Sequence, residues 1–346
     1  MKVIKNVYVV LTEYQFLQAV NIATGVYNTE SYINTIYIIR NGTRLQGLDT
    51  TKITVLNNIT THVIDNRTTK DIATIILREK PNHFLFFQAI NAVNIYIAYK
   101  LSKKGVEISL GPDGYSAYAK FNKKYHFLSV IRDSIKENKI LVENKLFVPF
   151  LRFDYYTYGC HKFINTLWIT HPEQYVHSAK NKPNVIKLPE FNTDCISFIA
   201  HCFNYYDDFP IENVIYYFNQ PLWENLYNTD FEFLEAVLNQ FPQKKIAVKL
   251  HPLTTKTNKQ KYQNNDRIIL IESMVPAEVL LIKLKNCIVF SGWSTVLITE
   301  NRHCNYYFNY PIFKKTNDFI INQLEIPALN HIKMITNPSE MKFPNE

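Results

Sequence analysis

The chain has 346 residues, 47% of them apolar, which is enough for two globular domains with separate cores. Its formal net charge is +8, but lysines and arginines occur in short groups with carboxylates between most of them. This distribution forms no continuous basic face and therefore argues against nucleic acid as a partner. An anionic small substrate or a membrane surface remains compatible with the charge.

The cysteines and the start of the chain bear on its location. Cysteines at 160, 195, 202, 287 and 304 lack C-x-x-C spacing, so we expect free thiols in a reducing compartment. The first residues, MKVIKNVYVVLTEY, lack the apolar core and cleavage site of a signal peptide. No stretch approaches the ~20 apolar residues of a membrane span. These features predict a cytoplasmic protein, with peripheral attachment to the inner face of the cell membrane left open.

The first half of the chain alternates between strand and helix patterns. The predicted strands are 7–12, 35–39, 53–56, 62–64, 83–87 and 106–110, and the predicted helices are 14–24, 69–78 and 92–103. Such alternation predicts βαβ units and a mostly parallel sheet. After Pro149 the pattern loosens into an aromatic, turn-rich region, and Pro183 and Pro189 flank a predicted crossover to a second domain.

Alternation resumes in the second half. The predicted strands are 214–218, 245–250, 268–271 and 287–290, and the predicted helices are 231–240, 277–284 and 295–301. We therefore expect an α/β protein with two Rossmann-like domains facing a cleft. The expected domains are 1–182 and 190–330, followed by a polar tail at 331–346.

Two motifs of the second half begin where predicted strands stop. KLHP at 249–252 closes one strand, and SGWST at 291–295 follows another. Ligands of open parallel sheets gather at strand carboxyl ends, and glycine with hydroxyls before a helix suits a phosphate. A histidine beside a phosphate indicates group transfer with a nucleotide leaving group. Each residue also has a structural interpretation: His251 as a backbone partner, Ser294 as a helix cap, and Glu278 as a first-turn acid favoured by the helix dipole.

A third motif, GPDG at 111–114, follows the predicted strand 106–110. It places a carboxylate at a strand end between two of the chain's eight glycines, which allow another molecule to approach closely. The alternative is a tight turn, since Pro-Asp-Gly is typical of turns. The chain has no G-x-G-x-x-G or P-loop pattern. Its Asp207-Asp208 pair lies in a predicted turn, so we expect no metal site there.

Taken together, the motifs resemble those of bacterial GT-B sialyltransferases, particularly the capsule polysialyltransferase-like group. The family's D/E-D/E-G motif is matched by Asp113-Gly114, with Pro112 at the first acidic position. Its HP motif is matched at 251–252, its paired Ser/Thr at 294–295, and TEYQFL at 12–17 is similar to its loop after the first strand. The resemblance spans most of the chain. It implies GT-B architecture, with the acceptor side in 1–182 and the nucleotide sugar in 190–330.

The resemblance also implies roles for the matched residues. Asp113 would act as general base, and His251 would protonate or hydrogen-bond the departing phosphate. The implied CMP-sugar contacts are Lys249, Pro252, Glu278, Gly292, Ser294 and Thr295, and the implied acceptor-side residues are Gln15, Gly114 and Tyr115.

The implied reaction is an inverting transfer of a nonulosonate, sialic acid or a relative such as Kdo, from its CMP-activated form. The acceptor would be a hydroxyl of a surface oligosaccharide or glycolipid. No cofactor or metal is expected, because the single phosphate of CMP carries less charge than a pyrophosphate. The alternatives are a GT-B enzyme using a UDP-sugar, a related epimerase, and a non-catalytic glycan-binding partner in capsule assembly.

Overall fold

The computed structural model describes residues 3–40, 45, 47–53, 56, 58–121, 126–154, 157–177, 182–206, 209–220, 224–251, 254–314, 324–327 and 329–345. The chain divides into two compact units, Met1–Asn204 and Tyr205–Glu346. Each unit has its own parallel sheet with interleaved helices, so the predicted α/β class is confirmed.

The first unit is built on a seven-stranded sheet. The strands of this unit are β1 (Ile4–Val10), β2 (Tyr32–Arg40), β3 (Ile59–Asp65), β4 (His83–Phe86), β5 (Glu107–Leu110), β6 (Lys120–Phe121), β7 (Thr166–Ile169) and β8 (Asn184–Lys187), and all but β6 belong to this sheet. Its helices are α1 (Glu13–Gly25), α2 (Thr69–Arg78), α3 (Ala92–Ser102), α4 (His126–Glu143) and α5 (Thr193–Cys202). The strand order is β3-β2-β1-β4-β5-β7-β8, and all of these neighbours pair in parallel.

Runs of apolar, β-branched residues in the sequence explain the central strands of this sheet. Residues 7–10 of β1 are fully buried, as expected for a central strand covered on both faces. β2 and β4 pair on opposite sides of β1, so the sheet grows first on one side of β1 and then on the other. Such a switch point opens a crevice at the strand carboxyl ends.

The first unit extends beyond the expected domain boundary. The predicted crossover between Pro183 and Pro189 contains β8, which pairs with β7. Helix α5 then packs on α1, where the Phe16 and Phe198 rings lie 6.2 Å apart. The side-chain amide of Asn21 also donates to the Pro189 carbonyl at 2.8 Å. These contacts place 183–204 with the first sheet.

The second unit repeats the architecture with six strands in its sheet. The strands of this unit are β9 (Ile215–Phe218), β10 (Ile246–Lys249), β11 (Ile268–Ile271), β12 (Cys287–Ser291), β13 (Cys304–Phe308), β14 (Leu324–Glu325) and β15 (Ile332–Met334), and all but β14 belong to this sheet. Its helices are α6 (Glu224–Gln240), α7 (Lys256–Gln263), α8 (Ala277–Leu281) and α9 (Tyr310–Phe313). The order β11-β10-β9-β12-β13-β15 again places the unit's first strand at a switch point.

Several predicted elements differ from the structure. The predicted helix 277–284 ends as α8 at Leu281, and the predicted helix 295–301 is only a 3-10 turn, Thr295–Ile298. In the predicted strand 53–56, residues 54–55 lie outside the described part, and Leu56 forms an isolated bridge with Ile59. The C-terminal tail packs back, since β15 pairs with β13.

The cysteine thiols and the character of the helices bear on two expectations from the sequence. All five cysteines are free thiols, as predicted. Among the helices in the described part of the chain, none combines the length and apolar character that crossing a bilayer requires.

Candidate active site

In the first unit, polar residues meet where β1 and β5 end. The fully buried Gln15 stands in the first turn of α1, where its backbone amide is capped by Thr12 Oγ1 at 3.2 Å. The Gln15 side chain accepts from the Leu11 amide at 2.8 Å and donates from Nε2 to Asp113 Oδ1 at 2.9 Å. One buried amide thus joins two strand ends and fixes an oxygen of the candidate base.

The loop that carries Asp113 is a tight turn that also presents its carboxylate. Gly114 has φ 70°, in the left-handed region that favours glycine, and it begins the 3-10 turn Gly114–Ala117. Ser116 Oγ donates to the Asp113 carbonyl at 2.9 Å. A Cβ at Gly111 would lie 2.4 Å from the Phe87 ring, so this glycine serves internal packing rather than the ligand approach expected from sequence. Both interpretations of GPDG therefore describe part of the loop.

Two buried tyrosines stabilise this turn. Tyr158 is buried and donates to the Gly111 carbonyl, and burial, followed by the charge of Asp113, raises its pKa well above the usual value. Tyr158 is therefore a neutral hydrogen-bond donor. Tyr115, predicted on the acceptor side, is also buried and packs edge-on against Tyr118 at 5.6 Å. In this structure Tyr115 supports the loop instead of lining an open surface.

In the second unit, the two predicted motifs follow strands on either side of β9. Strand β10 ends at Lys249 and β12 ends at Ser291, and both pair with β9. Two strand spacings separate them, about 10 Å. The KLHP and SGWST motifs therefore face each other across the switch point of their sheet.

Lys249 and Glu278 bring buried charges to this site. Only 7% of Lys249 and 3% of Glu278 are exposed, and the Lys249 ammonium donates to the Ser273 carbonyl. Burial raises the pKa of Glu278, in the first turn of α8, to about 7, although the charge of Lys249 opposes this shift. The two residues are thus electrostatically coupled.

His251 lies two residues beyond Lys249 and is half-buried. Burial, and then the positive charge of Lys249, lower its pKa, so its imidazole is neutral at pH 7. The His251 carbonyl accepts from the Thr254 amide at 2.9 Å. Pro252, the other member of the HP motif, lies outside the described residues, as do Asp207 and Asp208.

The loop after β12 is organised by serine hydroxyls. Ser291 Oγ donates to the Phe218 carbonyl at 2.7 Å and accepts from the Ser294 amide at 3.1 Å. Ser294 caps the following 3-10 turn through the Val296 amide at 3.5 Å. The turn begins at Thr295 as expected, but it is a four-residue 3-10 turn and not a helix that continues to Asn301. Such a short turn has little of the macrodipole that favours anions. A phosphate in this loop would rely on the hydroxyls of Ser294 and Thr295.

Aromatic rings line the other side of this loop. Trp293 meets Tyr310 and Phe313 edge-on, at 5.6 and 5.4 Å between ring centroids. A Cβ at Gly292 would lie 3.1 Å from Phe313, so Gly292 permits the close packing of this ring.

Sequence reasoning missed the residues that follow β9. Asn219 is buried; its Nδ2 donates to the Tyr262 hydroxyl and its Oδ1 accepts from the Thr254 hydroxyl, both at 2.9 Å. Gln220 Nε2 donates to Ser291 Oγ at 3.4 Å. The strand-end rule that identified the other motifs also applies to the predicted strand 214–218, and it could have found both residues.

A buried carboxylate anchors this network. Asp230 of α6 accepts hydrogen bonds from Tyr217 and, at 3.1 Å, from the Tyr262 hydroxyl. Burial raises the Asp230 pKa to about 6. Through Asn219 the network reaches Thr254, so it fixes the loop that carries His251.

Asn309 was also missed. It follows β13 and is fully buried, and its backbone amide donates to the Ser291 carbonyl at 3.1 Å. Neither polar atom of its side chain has a hydrogen-bond partner among the described residues. A buried amide without partners is costly, which makes Asn309 a candidate ligand contact beside the SGWST loop.

Comparison with known sequences assigns the chain to a protein family. The sequence profile of the family described as Alpha-2,8-polysialyltransferase (POLYST) matches residues 29–309. The chain belongs to this polysialyltransferase family. It is therefore a sialyltransferase-type glycosyltransferase, and the resemblance seen in its motifs is confirmed. No curated protein sequence matches the chain at a significant level.

Solved structures with the same fold include the GT-B domain of a sialyltransferase from Photobacterium damselae. It is 13% identical, with a TM-score of 0.52 and coverage of 95% of this chain and 99% of that one. A sialyltransferase from Photobacterium damsela is 13% identical, with a TM-score of 0.51 and coverage of 97% and 82%. A UDP-GlcNAc 2-epimerase from Neisseria meningitidis bound to UDP-GlcNAc is 12% identical, with a TM-score of 0.43 and coverage of 83% and 77%. This polysialyltransferase-family chain thus has the GT-B fold.

Within the described part of the chain, no group of three or more His, Cys, Asp or Glu side chains is placed to hold a metal ion.

Proposed function

We propose that this chain transfers sialic acid or a related nonulosonate from its CMP-activated form to a hydroxyl of a surface glycan, with inversion and without a metal. The observation that carries the proposal is the polar cluster at the switch point of the second sheet. There Lys249, His251 and Glu278 lie on one side of β9, and the SGWST loop lies on the other. Family membership supplies the reaction class.

The cluster suits a nucleoside monophosphate. The hydroxyls of Ser294 and Thr295 would bind the phosphate, since hydroxyls donate readily to anionic oxygens. Glu278 would accept from the ribose hydroxyls, and Lys249 would contact the cytosine. The amide of Asn309, which has no partner in the described part of the chain, would form hydrogen bonds with the donor.

The transfer needs a base on the acceptor and a hydrogen bond to the leaving group. Asp113, held by Gln15, would take the proton from the acceptor hydroxyl. His251 would donate a hydrogen bond or a proton to the departing phosphate oxygen. Its neutral form at pH 7 would gain a proton more readily once an anion is bound, because nearby negative charge raises a histidine pKa.

A single displacement assisted by an acceptor-side base inverts the anomeric centre. CMP is already a good leaving group with only one phosphate. Hydrogen bonds from hydroxyls and His251 are therefore sufficient to stabilise its departure, and no divalent cation is needed.

The proposal is tested by nucleotide release from a panel of activated sugars. The full chain is incubated with CMP-sialic acid, other CMP-nonulosonates including CMP-Kdo, and UDP-sugars, each with EDTA and a sialylated oligosaccharide acceptor. We expect acceptor-dependent CMP release in EDTA and no UDP release. NMR of the product should show the inverted anomer.

Other outcomes would overturn parts of the proposal. UDP release with no CMP release would assign the site to a UDP-sugar. Activity that EDTA abolishes and Mg²⁺ restores would remove the metal-free mechanism. Glycan binding with no nucleotide binding or turnover would favour a non-catalytic role.

A further inference from the structure

The surface of α4 and the segment after it is unusually apolar. Seven large apolar side chains between residues 127 and 150 are exposed: Phe127, Leu128, Ile131, Ile135, Val142, Phe147 and Phe150. The first five belong to α4, and the two phenylalanines follow it. We refer to these seven residues as the α4 surface. Contiguous exposed apolar residues of this kind mark an interaction site.

The apolar residues of α4 form a row along the helix. Leu128, Ile135 and Val142 are spaced by seven residues, which is about two turns, so they lie on one face. They are 77%, 58% and 59% exposed. The helix packs on the first unit through a different face, whose buried members are Val130, Ser134, Glu137 and Leu141. The exposed row is therefore a second apolar face.

A row of cations runs beside it. Arg132 and Lys139 are also spaced by seven and are displaced by one turn from the apolar row, with side chains 75% and 72% exposed. Lys136 and Lys145 are exposed as well.

Carboxylates only partly offset this charge. Asp133 lies 3.2 Å from Arg132 and is mostly buried, and Glu143 lies 3.8 Å from Lys139. Glu137 belongs to the buried face. Among the described residues of α4 and its C-terminal turn, exposed cations therefore exceed exposed carboxylates.

We infer that the α4 surface docks on an anionic lipid bilayer, with the helix lying parallel to the membrane plane. Leu128, Ile135 and Val142 would enter the boundary between headgroups and acyl chains, while Arg132 and Lys139 extend to the lipid phosphates. An apolar face flanked by basic residues is the pattern of interfacial helices. Anionic lipids strengthen such binding with each nearby cation.

A second copy of the chain fits the same surface less well. Two α4 helices packed antiparallel along the apolar row would bring the Arg132 and Lys139 rows together across the seam. Like charges in such positions oppose association, and interface cores are depleted of lysine. A lipid surface satisfies both rows at once.

Vesicle co-sedimentation tests this inference. The full chain is mixed with vesicles of phosphatidylcholine alone or of phosphatidylcholine with phosphatidylglycerol, in the absence of donor and acceptor. We expect binding to the anionic vesicles only, weakened at 1 M salt. The variant Leu128→Gln/Ile135→Gln/Val142→Gln should reduce the bound fraction by about tenfold, because interfacial binding scales with buried apolar area.

The matched control is Val26→Gln/Ile33→Gln/Ile211→Gln, which removes three exposed apolar side chains elsewhere. It should bind vesicles as the wild type does, and circular dichroism should show both triple variants folded. Failure of the wild type to bind anionic vesicles, or equal loss in both variants, would overturn the inference. Unchanged vesicle binding with loss of a dimer in gel filtration would assign the surface to a second copy. Because no transfer is measured, each of these results is independent of the proposed reaction.

Discussion

The two units share one strand order, yet the rims of their sheets are chemically different. In each sheet the first strand lies at a switch point, with the second strand on one side and the fourth on the other. At the rim of the first unit, polar side chains are hydrogen-bonded to other groups of the protein. The Gln15 amide accepts one hydrogen bond from the Leu11 amide and donates another to Asp113, which is held in a tight turn. The rim of the second unit keeps the buried ionisable groups of Lys249 and Glu278, and the amide of Asn309, whose side chain has no partner among the described residues.

This difference indicates a division of labour on a repeated scaffold. Groups already fixed by protein contacts are suited to act on a proton at a defined position. A buried amide such as that of Asn309, which has no partner among the described residues, is suited to be completed by a ligand. We therefore expect variants of the first rim to affect turnover, and variants of the second rim to affect nucleotide binding as well.

The largest expected effect is that of Asp113→Asn. It keeps the size of the side chain and removes the base, so acceptor-dependent CMP release should fall by about 10²- to 10⁴-fold. CMP affinity should be unchanged, since the proposed donor site lies at the rim of the other sheet. Asp65→Asn is the control, because Asp65 also ends a strand of the first sheet but bonds to Arg40. Full activity of Asp113→Asn would mean that another carboxylate is the base.

His251→Ala should have a similar effect from the second rim. Loss of the hydrogen bond or proton to the leaving phosphate should lower turnover by about 10²- to 10⁴-fold with little change in the melting temperature. The exposed His303→Ala in the same unit is the control. Near-full activity, or unfolding of the variant, would instead support a purely structural histidine.

Ser294→Ala/Thr295→Val should act mainly on binding. Two hydroxyl hydrogen bonds to a charged phosphate are removed, and CMP affinity should fall by about 10- to 100-fold in calorimetry. Ser339→Ala/Thr336→Val removes exposed hydroxyls of the same unit and should change nothing. An unaltered affinity in the first pair would move the phosphate away from the SGWST loop.

Glu278→Gln links the second rim to stability and pH. The folded-state pKa is raised to about 7 from 4.5, so between these values the folded protein holds a proton that the unfolded chain releases. Stability of the wild type should therefore fall as pH rises through this window, and Glu278→Gln should remove roughly 2 kcal/mol of that fall. Urea unfolding at pH 5 and 8 measures it, with the exposed Glu235→Gln as control. Identical pH slopes in wild type and Glu278→Gln would contradict the raised pKa.

Gln15→Met should have the smallest effect. It keeps the volume of the side chain but releases Asp113 Oδ1 and the Leu11 amide. We expect about a tenfold loss of turnover with CMP affinity retained, because Asp113 would keep its carboxylate and lose only its fixed position. A parallel fall in CMP affinity would show that Gln15 does not act through Asp113.

Strand-end reasoning predicted much of this molecule. The apolar, β-branched runs identified the central strands, and the polar residues after them identified Asp113, Lys249, His251 and Ser294 as rim residues. Their catalytic and binding roles remain predictions. The strand β8 was missed because it is only four residues long and lies in the turn-rich region after Pro149. Helix α4 was missed although its residues alternate between a buried and an exposed face.

Other features depend on contacts between residues distant in the chain. The link between Gln15 and Asp113 spans 98 positions, and the Asp230 network joins three elements of the second unit. Burial of Tyr115 and the missing partners of Asn309 arise only when the chain is folded. The helix expected after Ser294 is a short 3-10 turn in the structure. The turn is held at its start by the hydrogen bond from the Ser294 amide to the Ser291 hydroxyl, and the chain is extended again at Thr299.

The measurement that tests the division of labour most directly is a calorimetric titration of CMP, in EDTA, into the full-length wild type, Asp113→Asn and Ser294→Ala/Thr295→Val. We predict saturable binding at one site, unchanged in Asp113→Asn and weakened by about tenfold or more in the double variant. Loss of CMP binding in Asp113→Asn with normal binding in the double variant would contradict the account.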